Sequence, residues 1–277
     1  MNKFVRMIAA AASFAVASIA LPANAGAVLE KVLATKTLRL AVGTDWGPLS
    51  HLNDKQELVG YDVDVANGIA KYLGVEAEFV TPGWDIIAGA KWQGRWDVAM
   101  GAMVPTRPKA EVLVFPAVYF WSPAVATVHQ DGKATKPSDL EGKVIGLTAA
   151  SEFEAYAKHE FTPGWVNASP VHYQFKPGQL KTYGTTSIAF DDLRLGDGVR
   201  LDAVIADITD ARAAIKAGYP LRILEPALYY GPGAISILPG DKELNDKIAA
   251  AIKEMKDNGT LSKLSIKWYD SDYTEEQ

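Results

Sequence analysis

The chain contains no cysteine among its 277 residues. That excludes a disulfide framework and a lipoprotein attachment site. Histidine is scarce as well, four in all, and His51, His129, His159 and His172 are scattered without metal-ligand spacing. All four are read as surface or loop residues, and no metal or cofactor is expected. Basic charge is not in excess: 28 Lys and Arg stand against 33 Asp and Glu, a formal net charge of −5. A chain with that balance carries no electrostatic footprint for nucleic acid. Beyond the N-terminus, no apolar run reaches the ~20 residues that a membrane-spanning helix needs.

The one long apolar run is at the start. Lys3 and Arg6 precede an apolar stretch from Met7 to Leu21, followed by small residues at Ala23 and Ala25. This is the pattern of a cleavable secretion signal, with cutting expected after Ala25. Loss of Lys3 and Arg6 takes the net charge from −5 to about −7. The remainder, about 250 residues with ample apolar content, suits one large domain or two of ordinary size.

From Thr37 onward the chain alternates short runs of Val, Ile and Leu with longer segments of helical period, the order of an α/β fold with largely parallel sheets. Strands are predicted at TLRLAVG (37–43), VEAEFVT (75–81) and RWDVAMGAM (95–103), with an amphipathic helix at 59–74 closed by Gly74. The pattern then repeats. GKVIGLTA (142–149) reads as a strand, SEFEAYAKHEF (151–161) as a helix, and 201–218 as a strand running into a helix. A final strand, GAISILPG (233–240), precedes two helices separated by Asn258-Gly259. PAVYFWSPAV (116–125) and LEPALYYGPG (224–233) are aromatic and punctuated by proline; they read either as paired crossovers between two units or as ordinary core strands.

Six segments in order now resemble one family: LRLAVGTDWGPLS, LVGYDVDVANGIAKYLG, RWDVAMGAMVPTRPKAEVLVFPAVYF, PSDLEGKVIGL, LDAVIADITDA and DKELNDKIAAAIKEMKDNGTLSKLSIKWY. The chain from Thr37 to Tyr269 is similar to the family 3 periplasmic solute-binding proteins of polar amino acid ABC transporters. The resemblance implies a two-lobed, type II periplasmic-binding-protein-like fold, each lobe a mainly parallel sheet flanked by helices. Lobe 1 would comprise residues 26–121 and 231–277, and lobe 2 residues 126–225. Residues 122–125 and 226–230 would be the hinge crossovers. It also implies a monomer in the periplasm that holds a small amino acid or cationic amine in the interlobe cleft and delivers it to an inner-membrane permease.

Site residues come from the same resemblance, beside what each residue would be without it. Asp45 matches an acid found in relatives that bind basic side chains, or else caps its loop. Trp46 adjoins it, and Trp84 matches a ring that lies on the ligand's side chain, or else packs in the core. Trp92 and Trp96 read as structural. Aligning Asp97 and Phe115 without gaps places Ala102 and Val104 where relatives carry hydroxyls, and Lys109 where they carry the arginine that grips an α-carboxylate. Arg107 lies two residues earlier, in a Thr106-Arg107-Pro108 turn that could still project its guanidinium into the cleft, which would favour a zwitterionic amino acid as ligand. The clamp is therefore remodelled or lost, since a lysine cannot reproduce the planar fork. Tyr119 is placed near the cleft. Ser151 and Glu152 open a helix where relatives contact the carboxylate, although an acid there is also a common helix-dipole partner. Asp207, at a strand end, matches the acid that pairs with a ligand ammonium. An acidic, aromatic cleft favours a cation. The competing class is a lyase resembling cyclohexadienyl dehydratase, with Glu152 or Glu154 as general acid.

Overall fold

The computed structural model describes residues 26–276, so the secretion-signal reading of residues 1–25 lies outside the described residues. Helix α1 (Ala27–Thr35) leads into β1 (Thr37–Ala41), whose Leu38 and Leu40 are fully buried. Three short strands, β2 (Asp45–Trp46), β3 (Ser50–Leu52) and β4 (Leu58–Val59), form a separate antiparallel sheet. Because Val59 pairs with His51 in that sheet, helix α2 (Tyr61–Leu73) begins two residues later than the apolar period suggests. It ends as expected at Gly74, whose φ of 70° returns its amide to the last turn. Strand β5 (Glu76–Val80), the single turn α3 (Trp84–Ala88), β6 (Val98–Met103) and the turn α4 (Arg107–Ala110) complete the first unit.

The long strand β7 (Val118–His129) opens the second unit. It continues through β8 (Val144–Thr148), α5 (Glu152–Ala157), β9 (Gln179–Tyr183), α6 (Thr186–Leu193), β10 (Ala203–Asp207), α7 (Ile208–Lys216) and β11 (Leu221–Ile223). Helix α5 is six residues, not eleven, because His159 turns into the left-handed region at φ 61°. Strand β12 (Tyr229–Ser236) returns to the first unit, followed by α8 (Lys242–Asp257) and α9 (Thr260–Tyr269). Gly259, at φ 73°, separates those two helices, as its sequence context predicts.

The sheet runs in the order β5-β1-β6-β12-β7-β10-β8-β9, with β11 on β7. Pairs β5/β1, β1/β6, β10/β8 and β8/β9 are parallel, whereas β12 and β7 are antiparallel to their neighbours. The first half of β7 pairs with β12, from Phe120↔Gly233 to Ala124↔Tyr229; the second half pairs with β10, from Ala124↔Asp207 to Val128↔Ala203. The two aromatic, proline-punctuated segments are thus paired strands that carry the chain between two parallel groups.

Each group is buried on both faces, as parallel strands require. In β10, Ala203 and Ile205 join the cluster of Ile145, Leu147 and Phe153, while Val204 and Ala206 pack with Phe190 and Leu193 of α6. Each large apolar side chain so buried contributes about 1.5–3 kcal/mol. In the first group, Leu38 and Leu40 share a cluster with Ile69 of α2 and Ile248 and Ile252 of α8. Trp92 and Trp96 are buried in a third cluster, as the structural reading of both expected. His129 departs from its surface reading: it sits at the end of β7 with only 8% exposure, because β11 pairs along that strand end.

Candidate functional site

The carboxyl ends of β1, β6, β8 and β10 point at one another across the two groups, and the loops beyond them enclose a cavity of about 260 Å³. This is where an open α/β sheet offers a ligand its binding crevice. Two flanks close it. On one, the amide of Arg107 donates to the carbonyl of Thr162 at 3.0 Å and the amide of Gly164 to the carbonyl of Pro105 at 2.9 Å. On the other, the Thr185 hydroxyl donates to Asp45 Oδ2 at 2.9 Å. Both flanks join the first unit to the second.

One wall is aromatic. Trp46, from β2, and Trp84, at the start of α3, meet edge to face with centroids 5.5 Å apart and planes at 87°. Their rings close over Gly101, where φ is 115° and a β-carbon would stand 2.8 and 2.9 Å from the two indoles. Only glycine permits that approach.

The facing wall is acidic. Asp207 stands at the junction of β10 and α7, and burial pushes its carboxyl up to about 7, with Glu152 adding to the rise and a hydrogen bond from Ser122 opposing it. One turn along α7, Asp210 is raised well above the usual carboxylate range by burial and by the charges of Asp207 and Asp45. Its Oδ1 is buried without a hydrogen-bond partner. Glu152, 6% exposed, receives Lys109 Nζ on Oε2 at 3.4 Å, and the same ammonium lies 5.6 Å from the centre of the Trp84 ring. Uncompensated buried carboxylates facing indole rings suit a cation, which both groups attract.

Of the residues singled out in the sequence, Trp46, Trp84, Ser151, Glu152 and Asp207 line this cavity. Ala102 and Val104 line a much smaller recess, about 10 Å³, beneath Glu152 and Asp207. Tyr119 is fully buried away from the cavity, donating to Asp62 Oδ1 at 2.6 Å and accepting the Ala102 amide at 2.8 Å. Asp45 is exposed at the rim. Arg107 is exposed on α4 and does not reach the lining, because that turn presents its backbone, not its side chain, to the second unit. Lys109 stands just behind the wall, held by Glu152.

Sequence reasoning does not reach Asp210, nor Thr148, Thr185, Thr186 and Ser187, which also face the cavity. The spacing Asp207-x-x-Asp210 at the first turn of a helix is a usable signal, since residues three apart share a face. The hydroxyl run comes after β9, whose polar sequence QLKTY does not announce a strand. Among the described residues no group of three or more potential ligands is placed to hold a metal, and no helix is long and apolar enough to cross a membrane.

With this geometry in hand, comparison with known proteins is specific. The pattern of the bacterial extracellular solute-binding proteins, family 3, matches residues 38–271. The L-cystine-binding protein TcyJ of Escherichia coli (strain K12) is 27% identical over 250 residues, covering 89% of this chain and 88% of that protein. The L-arginine-binding protein of Pseudomonas aeruginosa is 27% identical over 248 residues, 86% of this chain and 90% of that one. Among solved structures, an ancestral arginine-binding protein bound to glutamine superposes with a TM-score of 0.73 at 30% identity, over 84% of this chain and 98% of the other. These relatives are binding proteins by name.

Proposed function

Since the chain belongs to the bacterial extracellular solute-binding proteins, family 3, we propose that it is the substrate-binding component of an ABC importer, capturing an amino acid or a cationic amino-acid-like amine in its interlobe cavity. In this reading residues 26–121 and 231–277 move against residues 126–225, with 122–125 and 226–230 as the hinge. The protein acts as a periplasmic monomer, exported by its N-terminal signal, and docks its closed form on an inner-membrane permease.

The observation that carries this reading is the half-buried pair Asp207 and Asp210 facing Trp46 and Trp84 in a cavity bridged on both flanks. Contacts made only when the lobes are shut are what turns binding into closure. The relatives named for arginine and cystine make amino acids the first ligands to try.

The two acids that the sequence nominates for the lyase alternative, Glu152 and Glu154, do not suit the role. Glu152 is tied to Lys109. Burial raises Glu154, but hydrogen bonds from Lys158 and the Ala150 amide outweigh it and hold the carboxyl below its usual range. It is therefore ionised at neutral pH and has no proton to donate.

A thermal-shift screen of the purified chain against the amino acids, diamines and quaternary amines tests the receptor reading. A ligand at 100 times its dissociation constant stabilises by about 2.7 kcal/mol. Silence across the whole panel would reject it, as would turnover of any of these compounds.

A further inference from the structure

The charged and hydroxyl groups near the cavity that could receive a ligand carboxylate are already engaged, which leaves the Trp84 indole N–H as a lining side-chain donor without a partner. Lys109 Nζ is taken by Glu152 at 3.4 Å. The Ala150 amide, at the entry to α5, is taken by Glu154 Oε2 at 2.7 Å. The Ser151 hydroxyl donates to the carbonyl of Thr148 at 2.6 Å and accepts the Glu154 amide at 3.3 Å. Thr148 and Thr186 share a hydrogen bond at 3.1 Å, and Thr185 donates to Asp45 at 2.9 Å. No lysine, arginine or histidine is among the residues that line the cavity. In three of these places the partner is one of the protein's own carboxylates.

The acids on the opposite side are in the reverse condition. Glu152 is neutralised by Lys109, whereas no cation pairs with Asp207 or Asp210 across the lining, and Asp210 Oδ1 has no hydrogen-bond partner at all. The charge of Asp207 adds to the burial that makes Asp210 hard to ionise. Two neighbouring carboxyls that resist ionisation are held in the charged form best by two positive charges, and an anion brought in by the ligand would oppose that. Beyond Asp210 the wall becomes apolar, formed by Ala213, Ala214, Ala217, Leu49 and Phe190, which suits a methylene chain.

Building on the receptor reading, we propose that the ligand is a dicationic amine without a free carboxylate, a diamine or a decarboxylated basic amino acid, seated on Asp207 and Asp210. Its two charges complete the acidic pair, and its methylenes meet the apolar part of the same wall.

Calorimetry with three matched pairs tests this: lysine and cadaverine, arginine and agmatine, ornithine and putrescine. Each pair differs by one carboxyl group. In the pairs that bind, the decarboxylated member is expected to be at least tenfold tighter, and Asp210→Asn is expected to weaken it at least tenfold while leaving the melting temperature of the free protein unchanged or higher. If the amino acid is the tighter member, or Asp210→Asn leaves the amine's affinity intact, the dication proposal is overturned and the receptor reading stands. If none of the six binds but a neutral amino acid does, the result is the same. If no amine or amino acid binds, both fall together.

Discussion

Asp207 is useful because of where β10 ends. The strand delivers its carboxyl to the cavity floor, and α7 starts at the next residue, so the side chain cannot retreat without unwinding a helix. A ligand ammonium buried against it loses its only adjacent counter-charge besides Asp210 if the acid is removed. Breaking a buried pair from one side costs about 3–5 kcal/mol. Asp207→Ala is therefore expected to raise the dissociation constant for an ammonium ligand at least 100-fold by calorimetry, and unchanged affinity would place the site elsewhere. The same carboxyl links binding to protons. In the free protein it is pushed up to about 7, so at pH 6 it is largely protonated, and a cation must displace that proton. Affinity for a cation should then climb as pH rises toward 7 and level above it, by up to tenfold per unit for one proton. Calorimetry at pH 6 in two buffers of different ionisation heat should register proton release, and equal heats would contradict the assignment.

At the scale of elements, the hinge motion proposed above would depend on a short strap. Residues 162–164 run antiparallel to 105–107, with Thr106 bridging Pro163. A methyl group on Gly164 would lie 2.9 Å from the carbonyl carbon of Thr106 and 3.1 Å from the Arg107 amide, both backbone atoms that cannot swing aside. Gly164→Ala should accordingly oppose the closed form and weaken ligand binding about tenfold, the penalty that a 1.4 kcal/mol bias against closure imposes. Scattering profiles should show the liganded variant less compact than the liganded parent; identical profiles and affinities would mean that the strap does not gate closure. Sequence makes much of this scale legible. Strands with two buried faces, such as VIGLT and AVIAD, announce themselves by continuous apolar character, and Gly74 and Gly259 mark helix ends through a conformation other residues adopt reluctantly. The strap itself is illegible, because its pairing is between backbone groups of irregular loops and leaves no side-chain pattern. Asp210 and the hydroxyls after β9 are hidden for a related reason: their meaning comes from what the other lobe brings opposite them. Arg107 and Lys109 show the limit of alignment, since only the fold reveals that one projects outward and the other is held by an internal acid.

For the molecule as a whole, the same buried acids shape stability against pH. Asp62 is fully buried, accepts a hydrogen bond from Tyr119 on Oδ1, and leaves Oδ2 unpaired. Burial pushes its carboxyl up to about 7, although the Tyr119 hydrogen bond and the Gly101 amide pull the other way. Asp207 is raised to the same level and Asp210 is displaced in the same direction. An unfolded aspartate releases its proton near 3.8. Between about pH 4 and pH 7 the folded chain therefore holds protons that the unfolded chain has lost, and each such group costs about 1.4 kcal/mol of stability per pH unit as pH rises through that window. The ligand-free protein should melt highest in mild acid and progressively lower toward pH 7. Below pH 4 the fall reverses sign, because Asp139, Asp192 and Asp272 are held under their usual range and must be protonated there. Asp62→Asn isolates one contribution, since the amide retains an acceptor for Tyr119 without the charge. It should raise the melting temperature at pH 8 and leave it nearly unchanged at pH 4.5, whereas equal shifts at both pH values would show that packing, not ionisation, governs the site. A bound cation acts against this slope by stabilising Asp207 and Asp210 in the ionised form. The liganded protein should thus lose the part of its preference for acid that comes from the cavity while the Asp62 part persists, which makes the difference between the two melting profiles a direct reading of how many cavity carboxyls the ligand engages.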